Sequence, residues 1–419
     1  MNIRTMRRLD RWVGTPVCLG LTVVRKLVDL VRRIGGLGRG AAVLNPAAGA
    51  AQRGPVVLLV KLAEMGSTVL ALPAITRLRE MYPGCRLHYL CLAENRAVLD
   101  LIDEIPWAGV HGIRADSIVS AVWNTLTTVR RIRRLRPDVA IDLECFSRTS
   151  AALVHLSGAR VRVGFHRYRA EGLNCGDLFT HRLAYNNHLH TAGAFLSLVE
   201  ALAAPPAEVP LLKKRIVPPQ ALPSFRPTEQ EREAVLARLR DGGFPGPGRG
   251  SILIINTNAS DLLPLRRWPT GRFEELARRC LAADERTWIV LTGAPSEQPA
   301  VEAFARALNH PRVISLAGRT TLRELVTLYT LADVIVTNDS GPAHFAALTP
   351  IRIVSLFGPE TPELYGPLSR HNRSLRADLA CSPCIHVFNY RDSPCSNNRC
   401  MQEIPVEAVF DAIRQARAG

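Results

Sequence analysis

Aromatic side chains are scarce in this chain, 6% of its residues, and none is interleaved with the arginines of "VRRIRRLRP" at Val129 to Pro137. A surface for single-stranded nucleic acid needs stacking rings among its cations, so nucleic acid is not an expected partner. The arginines there alternate with Val, Ile and Leu at helical spacing. This reads as a solvated helix face, with an anionic acceptor as the second reading. Apolar runs long enough to span a bilayer are missing too. The nearest approach, "VGTPVCLGLTVV", is short, contains Pro16, and leads into "RKLVDLVRR" with no small-residue cleavage site. Neither a signal peptide nor a membrane-spanning anchor is expected.

Acidic residues are in deficit, 37 against 53 lysines and arginines, which leaves a net charge of +16. Half of that excess lies before residue 54, where ten basic residues face only Asp10 and Asp29. Within this stretch Val23, Val24, Leu27, Val28, Leu30, Val31 and Ile34 keep a helical period, while Arg25, Lys26, Asp29, Arg32 and Arg33 fill the other side. The pattern suits a basic amphipathic helix on an anionic membrane surface. A helix packed on the body of the protein is the alternative. Gly35 to Gly54 reads as a flexible linker.

The remainder has an ordinary globular composition, 47% hydrophobic and 21% charged, and the 419 residues suffice for two domains with separate cores. Apolar runs of strand length ("VVLLVKL", "RLHYLCL", "VAIDLEC", "VRVGF") alternate with helical segments such as Thr68 to Met81 and Val119 to Leu135. After a Pro- and Gly-rich stretch the alternation resumes with "SILIINT", "TWIVLTG", "VISLAG", "DVIVTND" and "IRIVSLFG". Such alternation predicts an α/β fold, two doubly wound parallel sheets covered by helices, with ligands in a cleft at the strand carboxyl ends. The expected organisation is an extension and linker over 1–54, a first domain over 55–215 and a connection over 216–250. A second domain over 251–404 and a terminal helix over 405–419 complete it.

Two stretches stand out chemically. "VVLLVKLAEMGSTVLALPAITRLRE", Val56 to Glu80, reads as strand, tight glycine turn and helix. "DVIVTNDSGPAHFAALTPIRIVSLFGP", Asp333 to Pro359, ends a strand in Asn338-Asp339 and opens a helix at Ser340-Gly341 with His344 in it. A helix start of this kind either receives a phosphate on its amides or is simply capped by Asp339 or Ser340.

The second stretch closely resembles the signature of glycosyltransferase family 9, the ADP-heptose:lipopolysaccharide heptosyltransferase family. "LPLRRWPTGRFEELA", "IVLTGAPSEQ", "ISLAGRTTLRELVTLYTLADVIVTNDSG" and "VKLAEMGSTVLALPAI" resemble further family elements in the family's order. The resemblance implies a GT-B architecture and an inverting sugar transfer without a catalytic metal. An ADP-linked heptose-like donor and a lipid-linked or anionic glycan acceptor follow from it, at the cytoplasmic face of the membrane. It further implies that Asp339, Ser340, Gly341 and His344, with Asn338 before them, line the donor diphosphate and sugar. Arg266 stands at the family's lysine and would stabilise the leaving diphosphate, with Arg267 an adjacent possibility. Glu297 matches the residue near the ribose, and Thr292, Gly293 and Gly318 are backbone-type candidates.

Two departures matter. Arginine replaces lysine at 266, and Gly66-Ser67 stands where the family has Gly-Asp, whose aspartate is the presumed general base. Serine has no suitable proton affinity for that role. Glu64 is the candidate replacement, with Asp142 or Glu144 as alternatives, and pairing of Glu64 with Lys61 as the structural reading. A nucleotide-sugar epimerase or hydrolase on the same scaffold, or a non-catalytic membrane-associated binding protein, stays open. Finally, Cys381, Cys384, Cys395 and Cys400 form a C-x2-C-x10-C-x4-C array around His386. Structural zinc, disulfides and free thiols are all compatible with that spacing.

Overall fold

A computed structural model of the chain describes residues 5, 10–34, 54–102, 105–168, 175–259, 263–389 and 391–418. Almost all of the linker expected at Gly35 to Gly54 lies outside them. The chain divides into two compact units, Met1–Pro218 and Pro219–Gly419.

The first unit opens with α1 (Gly14–Ile34) and continues through β1 (Val56–Val60), α2 (Met65–Leu70), α3 (Leu72–Met81), β2 (Arg86–Leu92) and β3 (Trp107–Ile113). There follow α4 (Ile118–Leu135), β4 (Val139–Asp142), α5 (Arg148–Leu156), β5 (Val161–His166), β6 (His181–Ala184) and α6 (Thr191–Glu200). All strands pair in parallel in the order β3-β2-β1-β4-β5-β6. β1 is buried at every residue, as an uninterrupted apolar strand must be when helices cover both faces of its sheet.

The second unit contains α7 (Glu229–Asp241), β7 (Ser251–Asn256), α8 (Thr270–Ala283), β8 (Thr287–Leu291), α9 (Gln298–Leu308) and β9 (Val313–Ser315). After these come α10 (Leu322–Leu331), β10 (Val334–Asn338), α11 (Gly341–Ala346), β11 (Arg352–Phe357), β12 (Asn372–Arg376) and α12 (Val406–Ala418). Its sheet runs β12-β11-β10-β7-β8-β9, the same winding as the first read from the opposite edge. In each sheet the order reverses at a central pair, β1 with β4 and β7 with β10. Doubly wound sheets bind ligands outside the strand ends at that reversal.

Local findings refine the expected elements. The helix after β1 begins at Met65 rather than Thr68 and breaks at Ala71, and Gly66 is buried inside its first turn. The chain reverses instead at Glu64, whose φ is 67°. A glutamate in the left-handed region is strained, and such strain persists only where the surroundings impose it.

The segment 216–250 contributes α7, whose start is closed by a reciprocal cap between Thr228 and Glu231. α7 packs on α10, and Arg238 reaches Glu324 at 2.7 Å. α12 places Val406, Val409, Ala412 and Ile413 in the same core as Trp268, Phe273, Leu253 and Leu356.

One edge of α1 is tied to the first unit. Cys18 is buried and its thiol donates to the Arg148 carbonyl at 3.3 Å, while Arg25 pairs with Asp177 at 2.5 Å. Asp10 accepts from the backbone N–H of Arg148 and Thr149 and from the Ser147 hydroxyl, placing a carboxylate at the amino end of α5. The other edge of α1, with Val23, Val24, Leu27, Leu30, Val31 and Ile34, is exposed. Among the described residues, no helix is long and apolar enough to cross a membrane.

Candidate active site

At the reversal point of the second sheet, β10 ends in Asn338-Asp339 and its neighbour β11 leads through Gly358-Pro359 to Glu360. Parallel pairing of β10 with β11, Asn338 opposite Leu356, brings these two strand ends side by side. Arg266 arrives from the loop before α8. Its Nη1 lies 3.5 Å from Asp339 Oδ2 and 3.4 Å from Glu360 Oε2. Both distances exceed the about 2.8 Å of a tight charge-assisted bond, so neither carboxylate clamps the guanidinium. Asp339 and Glu360 are buried, and Arg266 is nearly so.

Two carboxyls that share one guanidinium out of water cannot both ionise cheaply. Burial first, and the charge of Asp339 second, raise the Glu360 pKa to about 8, against the opposing pull of Arg266. At neutral pH Glu360 is therefore mostly a neutral acid, leaving Arg266 and Asp339 as a balanced pair of charges. The site can accept an anion without confronting two negative groups.

The "RRWP" element divides its labour. Trp268 is an anchor, 1% exposed, with its indole N–H donating to the Ile404 carbonyl at 3.1 Å and its ring edge-on to Phe273. Arg267 turns back to the Ala259 carbonyl, donating from Nε and Nη2 at 3.1 and 2.8 Å. Arg266 is the one of the two that reaches the carboxylates. Asn338, expected among the donor-lining groups, has its amide engaged with backbone. Oδ1 accepts from Trp268 N–H at 2.9 Å, and Nδ2 donates to the carbonyls of Thr257 and Asn258. Its place is to hold the arginine loop at the strand end.

The other candidates of this unit surround that loop. Ser340 donates to the Asn338 carbonyl and caps no amide of α11 with its side chain, so the capped alternative is not the one adopted. His344 is buried one turn later. Thr292 accepts from Asn256 Nδ2 through its carbonyl at 3.1 Å. Gly293 and Gly318 are joined by a backbone bond of 2.9 Å, and Gly318 sits at φ 69°. Glu297 accepts from the Ala294 N–H at 2.8 Å, which shapes the turn after β8.

In the first unit, the loop after β1 meets the end of β4. A single oxygen of Glu144 accepts from Lys61 Nζ at 3.0 Å, Leu62 N–H at 2.8 Å and Ala63 N–H at 3.0 Å. Lys61 is only 2% exposed, so Glu144 is committed as its counter-ion. Asp142 accepts from the Ser150 hydroxyl and the Glu144 N–H, and burial raises its pKa well above the carboxylate range. Glu64 differs from both. Its side chain is about one-third exposed, it lies 3.9 Å from Lys61 Nζ, and the Ser67 hydroxyl approaches Oε2 at 3.5 Å. The serine that replaces the expected aspartate thus touches the carboxylate that stands beside it.

All four carboxyl-terminal cysteines are free thiols. Cys384 Sγ contacts Ser393 Oγ at 3.3 Å, Cys395 Sγ donates to the Asn397 carbonyl at 3.1 Å, and Cys400 is buried with its pKa raised to about 11 by desolvation. Among the described residues no three His, Cys, Asp or Glu side chains share a centre that could hold a metal ion. As placed, the array is not a zinc cage and not a disulfide pair.

Comparison with known proteins places this geometry. The model of glycosyltransferase family 9 (heptosyltransferase) matches residues 126–392, which take in both β4 with its loop and the whole Arg266, Asp339 and Glu360 cluster. The chain belongs to glycosyltransferase family 9. It is 29% identical over 168 residues to lipooligosaccharide heptosyltransferase 2 of Campylobacter jejuni subsp. jejuni serotype O:6 (strain 81116 / NCTC 11828), a match covering 39% of this chain and 51% of that protein. The chain thus spans about half the length of that curated relative. Among solved structures, E. coli ADP-heptose lps heptosyltransferase II superposes with a TM-score of 0.64 at 20% identity, covering 86% of this chain and 98% of the other. E. coli heptosyltransferase WaaC with ADP superposes at 0.60 and 18% identity, covering 86% and 99%. At these identities the superpositions establish the shared fold, two parallel six-stranded α/β sheets. Glu360 is the residue that sequence reasoning missed. It stands alone after "LFGP", and only its position beside the end of β10 reveals it.

Proposed function

We propose that this family 9 enzyme moves a heptose-like sugar, with inversion and without a catalytic metal, from an ADP-linked donor to a lipid-linked glycan. Lipopolysaccharide core or another surface glycan would be the acceptor, and the enzyme would work peripherally at the cytoplasmic face of the membrane. The observation that carries the reading is Arg266 set between Asp339 and Glu360 at the reversal point of the second sheet. The family match supports it, as does the fold shared with a heptosyltransferase solved with ADP.

In the proposed reaction the acceptor hydroxyl attacks the anomeric carbon opposite the diphosphate. The bond from that carbon to the phosphate oxygen breaks, and its electron pair leaves with the ADP. Arg266 turns from the carboxylates to the diphosphate and neutralises the charge that develops there, the electrostatic task a metal would otherwise perform. His344 and the backbone at Ser340 and Gly341 border the same place. Glu297, Gly293, Gly318 and Thr292 would form the nucleoside side. Glu64 takes the acceptor proton, supported by its accessible carboxylate, its strained backbone and the prior commitment of Asp142 and Glu144. The exposed apolar edge of α1, with Lys26 and Arg32 also exposed on that helix, would rest on the anionic membrane surface.

Incubation with ADP-heptose, with and without a heptose-deficient lipopolysaccharide acceptor, tests the reading. Sugar recovered on the acceptor supports it. Epimerised or hydrolysed donor with no acceptor product would overturn it in favour of a nucleotide-sugar epimerase or hydrolase.

A further inference from the structure

A helix of a globular domain turns its apolar side inward. The first turns of α4 do the reverse. Ile118, Val119, Val122, Trp123 and Leu126 lie on one side at helical spacing, and each is at least half exposed, Val119 at 80% and Trp123 at 65%. The side turned toward the protein over the same turns carries Ala121, Asn124, Thr125 and Thr128. Only from Thr128 and Ile132 onward does the helix bury residues fully. Its last turns expose Arg130, Arg131, Arg133 and Arg134, and the helix contains no acidic residue.

The fold puts this row on the same side of the sheet as α1. The connections from β3 to β4 and from β4 to β5 cross the sheet in one direction, so right-handed crossovers leave α4 and α5 on one face. Both α1 and α4 pack against α5. One face of the first unit therefore carries two helices with exposed apolar rows, one tied down through Cys18 and Arg25 and the other integral to the sheet.

We propose that α4 is a second membrane-docking element, whose row from Ile118 to Leu126 enters the headgroup boundary of an anionic bilayer while its arginines engage the lipid phosphates. The inference rests on the peripheral location proposed above and adds the partner of α4. A bilayer is the occupant that fits. An apolar row containing tryptophan matches the interfacial layer, and an adjoining run of uncompensated arginines matches anionic headgroups. An integral helix also explains how the enzyme would keep a fixed orientation, since α1 alone leaves rotation about one contact line.

The test is sedimentation of the full chain with vesicles of phosphatidylcholine alone and with added phosphatidylglycerol. It compares Val122→Glu/Trp123→Glu in α4 with Leu27→Glu/Val31→Glu in α1. These are surface positions, and circular dichroism verifies folding of each variant. Binding to the anionic vesicles at least about tenfold weaker in the α4 variant supports the inference, given the apolar area withdrawn. A blue shift of tryptophan fluorescence on vesicle addition that disappears in Trp123→Phe supports it as well. Unchanged binding by the α4 variant with impaired binding by the α1 variant overturns the inference and leaves the peripheral location standing. Absence of vesicle binding by the wild type overturns both. A wild type that dimerises without lipid, made monomeric by the α4 change, assigns the row to a second copy and overturns the proposal.

Discussion

Replacing Glu360 with glutamine isolates the electrostatics of the Arg266 cluster. The side chain keeps its shape and its hydrogen bonding but can no longer ionise. In the folded chain the Glu360 pKa is raised from 4.5 to about 8, chiefly by burial and then by Asp339. A raised folded-state pKa means that the folded state holds the proton more tightly than the unfolded one. The resulting stability is fully present below about pH 4.5 and is lost as the pH rises through about 8. At about 1.4 kcal/mol per pH unit, the shift bounds the loss at about 5 kcal/mol, and a response of a few kcal/mol is expected once relaxation is allowed for. Denaturant unfolding of wild type and Glu360→Gln is compared across that window, so that all other titrating groups cancel in the difference. The wild type is expected to weaken relative to the variant as the pH rises. ADP affinity should follow, falling above about pH 8 in the wild type as a second negative charge appears beside Arg266, and staying level in Glu360→Gln. A stability difference independent of pH would refute the reasoning.

Three further outcomes are expected. Glu144→Ala strands the buried Lys61 ammonium and two backbone N–H groups, and should cost about 3–5 kcal/mol in chemical denaturation. Glu144→Gln should recover part of this, and an effect under about 1 kcal/mol for both would contradict the assigned role. Arg266→Ala should weaken ADP binding by about 10–100-fold in calorimetry, the scale of a lost charge-assisted contact. Arg267→Ala, whose guanidinium serves the Ala259 carbonyl, should act mainly on stability, and the opposite ranking would show the donor role misassigned. Glu64→Gln should reduce transfer by about a hundredfold or more with ADP affinity unchanged, the expectation for a lost general base. Unimpaired transfer would exclude Glu64 from that role.

What the sequence disclosed, and what it withheld, follows from the range of the interactions. β1, β7 and β10 were legible because a strand buried on both faces must be apolar throughout, and strand–helix alternation then implies parallel winding. Arg266 and Asp339 were legible through ordered motifs. The separate tasks of Trp268, Arg267 and Asn338 were not, because they depend on contacts with Ile404, Ala259 and Thr257 that local pattern does not contain. Glu360 becomes informative only when β11 is placed beside β10. The helical period of α4 reads the same whichever side faces the protein, so periodicity could not show that its apolar row points outward. The chain reversal was expected at a glycine, whereas Glu64 adopts the positive φ, and the reason lies in the Glu144 clamp on the preceding residues.

The central claim is that the second unit holds the donor diphosphate at the ends of β10 and β11. A crystal structure of the chain soaked with an ADP-sugar tests it most directly. The account predicts diphosphate oxygens within hydrogen-bonding distance of the Arg266 guanidinium and beside Ser340, Gly341 and His344, with the ribose near Glu297. Nucleotide density elsewhere, with Arg266 still set between Asp339 and Glu360, would contradict it.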